Sequence, residues 1–332
     1  MGGPVSQQQS NLRKRYPIPD RLNIWVTVAQ LAVSVALLWG ASRFWSQHQL
    51  WGVAVCALVF SFVMQAGFSL LHEAEHRKLH SRRSVNDFLG FLCAAMFPGS
   101  FQLLTVAHLN HHKVNRSDAE LVDYIRPGES AWLKHVQFYA LITGLIWVTA
   151  PVVTLVICLT PTTLLSKAFA KGEGGTIARY LAFIQRAGAN RVRLETIAAI
   201  GLWALVWWSL GLAFAAVAIC YAAFAFSWSS QQYIYHVRTP RHLIEGAYDL
   251  KLWAPLQALY LNFNYHLSHH RAPNVPWLYM RDVAQEEPTQ SYGLTYLALW
   301  APPQPVEQAW PVEHQVRGAL MPRPEHGEVA PA

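Results

Sequence analysis

Three short stretches hold most of the side chains able to do chemistry: His72-Glu73-Ala74-Glu75-His76, His108-Leu109-Asn110-His111-His112 and His266-Leu267-Ser268-His269-His270. On an α-helix, residues three and four apart share a face, so each box projects its imidazoles to one side. Nine of the fifteen histidines fall within residues 72–80, 108–112 and 266–270. Imidazoles gathered in this way point to a transition metal. The boxes supply two, three and three imidazoles. That is more than one ion can hold, so the count implies two metals.

Two other readings of the same residues stand beside this one. His72-Glu73-x-x-His76 is a literal match to the zinc-protease pattern, in which two His bind zinc and the Glu is a general base. A zinc site needs three or four protein ligands, however, and this reading leaves the other two boxes without a role. The plainer reading, solvated polar residues at a surface, suits single histidines such as His48, His135, His242, His314 and His326. It does not suit three boxes at helical spacing. His80 is a further ligand candidate, although a helix continued through the first box would carry it about 12 Å along the axis from His72 and roughly 80° around it.

The elements that must position these boxes are apolar. The chain is 53% hydrophobic and 14% charged, with fourteen Trp among 332 residues. Leu22–Ser42 and Leu50–Leu71 run 21 and 22 residues without a charge, and each is long enough to cross a hydrocarbon core of about 30 Å. The basic head with Arg13, Lys14, Arg15 and Arg21 places the N-terminus in the cytoplasm by the positive-inside rule, and two crossings return the chain there at His72. No cleaved signal peptide is expected. Phe88–Ala107 is apolar too, but a single crossing would separate the first two boxes. Pro98-Gly99-Ser100 breaks it in the middle, as in a re-entrant or interfacial hairpin.

Between the second and third boxes an even number of crossings is needed. One crossing in Phe138–Thr160 and one in Thr196–Trp228 supplies it, but this puts the basic loop 161–195, with Lys167, Lys171, Arg179, Arg186, Arg191 and Arg193, on the outside. The alternative is that each block is itself a hairpin. The domain organisation expected is a basic segment 1–21, a membrane domain 22–285 and a Pro-rich, largely disordered tail 286–332 with an aromatic patch at Tyr292–Trp300. Cys56, Cys93, Cys158 and Cys220 lack paired spacing and read as buried thiols. The net charge of +7 flanks apolar blocks and suits anionic lipid, not nucleic acid.

Taken together, His-x-x-x-His, His-x-x-His-His and His-x-x-His-His on a helical membrane scaffold resemble the fatty acid desaturase and hydroxylase superfamily over about residues 70–280. Asn115 and Asp118-Ala119-Glu120 after the second box, and Asn264 with Pro273 and Val275-Pro276-Trp277 around the third, resemble its usual frame. The resemblance implies an all-α integral membrane protein of about four transmembrane helices plus re-entrant or interfacial ones. It also implies a two-iron site on the cytoplasmic face of an inner or plasma membrane. The ligands implied are His72, His76, His108, His111, His112, His266, His269 and His270, with His236 as a ninth and Gln232, one turn ahead, as a supporting contact. Glu73, Glu75, Asp118, Glu120 and Asp123 are placed to orient the rings and offset the charge of the ions.

The activity implied is oxidation of a lipid or fatty acyl chain by dioxygen. Desaturation is the leading reading, with hydroxylation or ketolation of a lipid or carotenoid as the alternative. No electron-carrier motif is present in the sequence, so electrons are expected from a separate ferredoxin, rubredoxin or cytochrome b5 type of donor with its reductase. Arg77, Lys78, Arg82 and Arg83 are candidates to attract it.

Overall fold

The two charge-free apolar runs form the two longest helices, α1 (Asp20–Ser46) and α2 (Leu50–Glu75). The computed structural model describes residues 15–306 except 98, 119, 162 and 165–183. Arg13, Lys14, Pro98, Ala119, Lys167, Lys171, Arg179 and the tail from 307 onward lie outside the described residues. Four helices among those described are long and apolar enough to cross a membrane: α1, α2, α7 (Ala189–Leu210) and α8 (Phe214–Tyr233).

Hydrogen bonds fix which ends of these helices lie together. The α1–α2 turn and the α7–α8 turn share one end, where the Ala213 amide donates to Ser42 Oγ at 3.0 Å. At the other end Asn23, near the start of α1, donates to Leu79 O at 2.8 Å, just past the first His box. The main apolar core lies between α1, α2 and α8 and includes the fully buried Leu38, Phe60, Met64, Leu70 and Cys220. All four cysteines are free thiols.

The apolar block after the first box is a hairpin, as expected. It consists of α3 (Arg83–Ala95) and α4 (Phe101–Val114). Ser100 caps α4 by accepting the Leu103 amide. Polar backbone exposed at such a break must find partners within the protein. Trp203 Nε1 donates to Ala95 O at 2.6 Å and the Tyr221 hydroxyl to Met96 O at 3.0 Å. Asn86 ties the base of the hairpin to α2, donating to Ala74 O at 3.0 Å.

Of the two arrangements open between the second and third boxes, one crossing per block is not what forms. Phe138–Thr160 is no continuous span: it contributes to α5 (Ala131–Ile142), a 3-10 turn (Leu145–Val148) and α6 (Thr149–Leu159), none near the roughly 20 residues a span requires, and the hairpin alternative holds for Thr196–Trp228. Gly144 stands at the break with φ +83°. The even number of crossings comes instead from Thr196–Trp228, which is a helical hairpin. Gly211 adopts the left-handed conformation and ends α7, its amide bonding Trp207 O at 3.0 Å, as a C-terminal glycine does. Residues at the start of α7 therefore sit at the end that carries the boxes. Arg191 lies 3.7 Å from Asp87, and Glu195 accepts the Gln102 amide at 2.9 Å.

The segment beyond 285, expected to begin a loose tail, is built into the fold as far as it is described. After α9 (Ala254–Leu259), α10 (His266–Arg271), a 3-10 turn (Trp277–Tyr279) and α11 (Met280–Val283) comes α12 (Tyr292–Leu299). Its Tyr292 hydroxyl donates to Gln231 at 2.7 Å. Strand β2 (Gln304–Pro305) then pairs in parallel with β1 (Tyr124–Ile125). The aromatic patch thus has partners on α8, which the sequence pattern alone did not reveal.

Gly144 lacks room for a side chain, since a Cβ there would lie 2.5 Å from Ala225 O and the backbone already has positive φ. Gly144→Ala is expected to destabilise the protein by about 1–3 kcal/mol, seen as a lower melting temperature in detergent. An unchanged melting temperature would show that the α5–α8 contact is not the fixed packing described.

Candidate metal centre

The first box straddles the end of α2, with His72 in its last turn and His76 as its C-cap. The second lies on α4, and the third forms most of the short α10. His236 stands just beyond α8. These nine histidines assemble into two groups: His72, His76, His108, His112 and His269 in one, His111, His236, His266 and His270 in the other. Within each group the atoms able to bind metal lie within 4.8 Å of one another.

The nitrogens that converge are mostly Nε2. His76 Nε2 is 2.7 Å from His108 Nε2 and 3.1 Å from His112 Nε2. His269 Nε2 is 3.1 Å from His112 Nε2, and His236 Nε2 is 3.0 Å from His266 Nε2. Two imidazoles bound at about 2.1 Å and at a right angle would have their nitrogens about 3 Å apart. The spacing is thus that of cis ligands around an ion. Buried His72 Nε2 and His270 Nε2 have no hydrogen-bond partner, which fits lone pairs reserved for a metal.

The rings are poised as neutral ligands. Burial, then the neighbouring Lys78 and His111, push the His76 pKa down to about 3. Burial and the adjacent imidazoles hold His108, His112, His266, His269 and His270 well below the usual range. Burial and His111 do the same for His236.

The outward Nδ1 atoms set ring orientation, as the outer partners of metal-binding histidines do. His111 Nδ1 lies 2.7 Å from Glu120 Oε2. His236 Nδ1 lies 2.8 Å from the Gly246 carbonyl, and Gly246 is itself tightly packed, since a Cβ there would fall 2.3 Å from His242 O and 2.5 Å from Arg116 Cγ. Buried Glu75 is 3.9 Å from His108 Nδ1. Sequence reasoning missed Asp249, whose carboxylate accepts the Ser268 amide at 3.0 Å and the Ser268 hydroxyl at 2.5 Å. It thereby anchors the third box. The local signal was the Ser inside the box, which needed a partner.

Other candidates sit elsewhere. His80 is in neither group; it lies 3.8 Å from Asp20, and its Nδ1 accepts the Arg82 amide. The chain turns at Arg77, which has φ 59°, so the helix does not carry His80 onward. Glu73 accepts the Trp277 amide at 3.0 Å and holds the segment after the third box. Asp118 pairs with Arg126 and Arg241 and touches no imidazole among the described contacts. Asp123 is a brace: it binds Arg116 Nη1 at 2.7 Å, the Tyr233 hydroxyl at 3.0 Å and the Arg238 amide at 2.6 Å. Gln232 donates to Gln65 on α2 at 3.2 Å, below the imidazoles. Of the four basic residues after the first box, Arg77, Arg82 and Arg83 are exposed but Lys78 is buried.

A family model described as fatty acid desaturase matches residues 50–300, which include all three boxes, His236 and the helices that carry them. No curated protein matches the chain.

Two tests follow from this geometry. Glu120→Ala should weaken metal binding by the group containing His111 by about 10–100-fold, whereas Asp118→Ala should reduce thermal stability and leave metal content intact; metal analysis with melting curves separates them. Because the folded-state pKa of His76 lies near 3 against an ordinary 6.5, the unfolded chain binds more protons than the folded one between these values. Stability of the metal-stripped protein should therefore fall as pH drops from 7 to 5. A melting temperature that rises over that range would contradict the neutral cluster.

Proposed function

Since the chain belongs to the fatty acid desaturase family, we propose that it is a membrane oxidase with two irons that uses dioxygen to place a double bond in a lipid acyl chain. The observation that carries this reading is the pair of imidazole groups with converging nitrogens at the ends of apolar helices. Five imidazoles would hold one iron and four the other, all neutral nitrogen donors of the kind imidazole-bound iron uses. Bound iron supplies dioxygen activation and oxidation of an aliphatic C–H bond, which no side-chain acid or base can do.

The protein's own contribution is orientation and exclusion of water. Phe263 packs against both His72 and His266, with ring centroids 5.0 and 4.9 Å apart, and Phe68 covers His72 from the membrane side at 6.2 Å. A cavity of about 10 Å³ bordered by Ser69, His72, His266 and His269 has room for one water-sized molecule. Glu120 and the Gly246 carbonyl keep the Nδ1 protons of His111 and His236 in place, so that both Nε2 atoms stay free. Buried Glu75, near His108, offsets part of the positive charge two ferrous ions would bring.

Electrons would come from a separate carrier of the ferredoxin, rubredoxin or cytochrome b5 type with its reductase, approaching the exposed Arg77, Arg82 and Arg83. That face would lie in the cytoplasm. The zinc-protease reading fits poorly, because His72 and His76 belong to a five-imidazole group and Glu73 is engaged by the Trp277 amide.

Purified protein should contain about two irons per chain, and cells expressing it should accumulate an alkene-containing acyl chain that disappears with His269→Ala. A hydroxylated product would move the assignment to a lipid hydroxylase, and a single tightly held zinc without iron would overturn it.

A further inference from the structure

An apolar cavity of about 860 Å³ lies within the helices that cross the membrane, apart from the imidazole groups. Its walls are the faces of α7 and α8, the turn between α3 and α4, and α6 with the 3-10 turn before it. Three of the large aromatic residues lining it have spent their polar atoms elsewhere, while the buried Trp228 Nε1 has no hydrogen-bond partner among the described residues. Trp203 donates to Ala95 O, Tyr221 to Met96 O, and Trp147 to Ser229 Oγ at 2.7 Å. What they offer the cavity is ring carbon.

Position and length say what fills it. Along α8 the lining runs from Val217 to Trp228, roughly 16 Å at helical rise. This is close to half of a hydrocarbon core of about 30 Å, the reach of a lipid tail in one leaflet. One wall, α7, has only Val192 and Thr196 buried, and its Ile200, a lining residue, is 59% exposed. In a bilayer that surface meets acyl chains, not water. The inner end abuts the candidate metal centre: Phe68 packs on Trp228 at 5.0 Å and on His72 at 6.2 Å. One ring separates the cavity wall from a metal-group imidazole.

We propose that this cavity takes the hydrocarbon tail of a membrane-resident lipid directly from the bilayer, so that the substrate is a lipid-embedded acyl chain and not a water-borne thioester. The inference rests on the lipid-oxidase reading for what becomes of the tail, but occupancy of the cavity does not depend on turnover. A second copy of the chain or a water-soluble acyl donor is the rival occupant.

The test is photo-crosslinking of the full-length protein in phosphatidylcholine vesicles, using a phospholipid with a diazirine in one acyl chain, with labelled peptides mapped by mass spectrometry. Labels should concentrate on cavity-lining residues of α7 and α8. Ala199→Trp and Ala204→Phe, which fill the cavity from two depths, should each abolish that labelling. Ile197→Trp, adding bulk to α7 at a position outside the lining, should leave it unchanged. Variants are compared only as monodisperse preparations, and the second cavity variant serves if the first fails to fold. Added unlabelled acyl-coenzyme A should not displace the label. Uniform labelling of lipid-facing residues, equal in all variants, would overturn the proposal, as would displacement by stoichiometric acyl-coenzyme A or the absence of label from the cavity-lining residues of the wild-type protein. Because no outcome requires iron or product, absence of oxidation would count against the proposed function alone.

Discussion

Imidazole nitrogens brought to within 2.7–3.1 Å of one another repel through their lone pairs unless a proton or a cation sits between them. Burial holds most of these rings in the neutral form, and one ring N–H can serve only one partner, whereas the Nε2 atoms of His76, His108 and His112 all lie within 3.1 Å of one another. A cation can serve all three. The fold can be understood as the means of holding nine rings, drawn from positions as distant as His72 and His270, in two groups each able to hold a metal ion.

That arrangement requires every box to reach the same end of the apolar bundle, and hairpins accomplish it. The α1–α2, α3–α4 and α7–α8 pairs each leave and return, so box after box arrives on one side. The segments beyond the helices are then locked to each other by buried polar groups. Arg116, only 2% exposed, binds Asp123 and also the Thr239 carbonyl at 3.0 Å. Asn115 donates to Leu243 O at 3.0 Å and to Gly246 O at 3.2 Å. Residues following the second box thus grip the loop that supports His236. Breaking such a buried pair by removing one partner costs about 3–5 kcal/mol, which makes this brace a rigid mount for the imidazoles.

Much of this was legible in the sequence because histidine boxes and charge-free runs are local signals. Box spacing named the imidazoles, and run length marked α1 and α2. What the sequence obscured were choices between local equivalents. Thr196–Trp228 contains enough apolar residues for one long span or two shorter ones, and only the left-handed conformation at Gly211 decides for two. Asp118 and Glu120 are neighbouring acids, yet Glu120 reaches His111 while Asp118 is taken by Arg126 and Arg241. Asp249 lies 19 residues from Ser268, and no periodicity links them. His80 was a candidate that helical spacing already disfavoured, and the bend at Arg77 leaves it beside Asp20, in neither imidazole group.

The most direct test of the central claim, two ions each within its own set of imidazoles, is anomalous X-ray diffraction at the iron edge from crystals of the iron-loaded protein. The account predicts two iron peaks, one enclosed by His72, His76, His108, His112 and His269 and the other by His111, His236, His266 and His270. A single peak shared by both groups, or a peak bound by carboxylates such as Glu73 with either imidazole group left without metal, would contradict it.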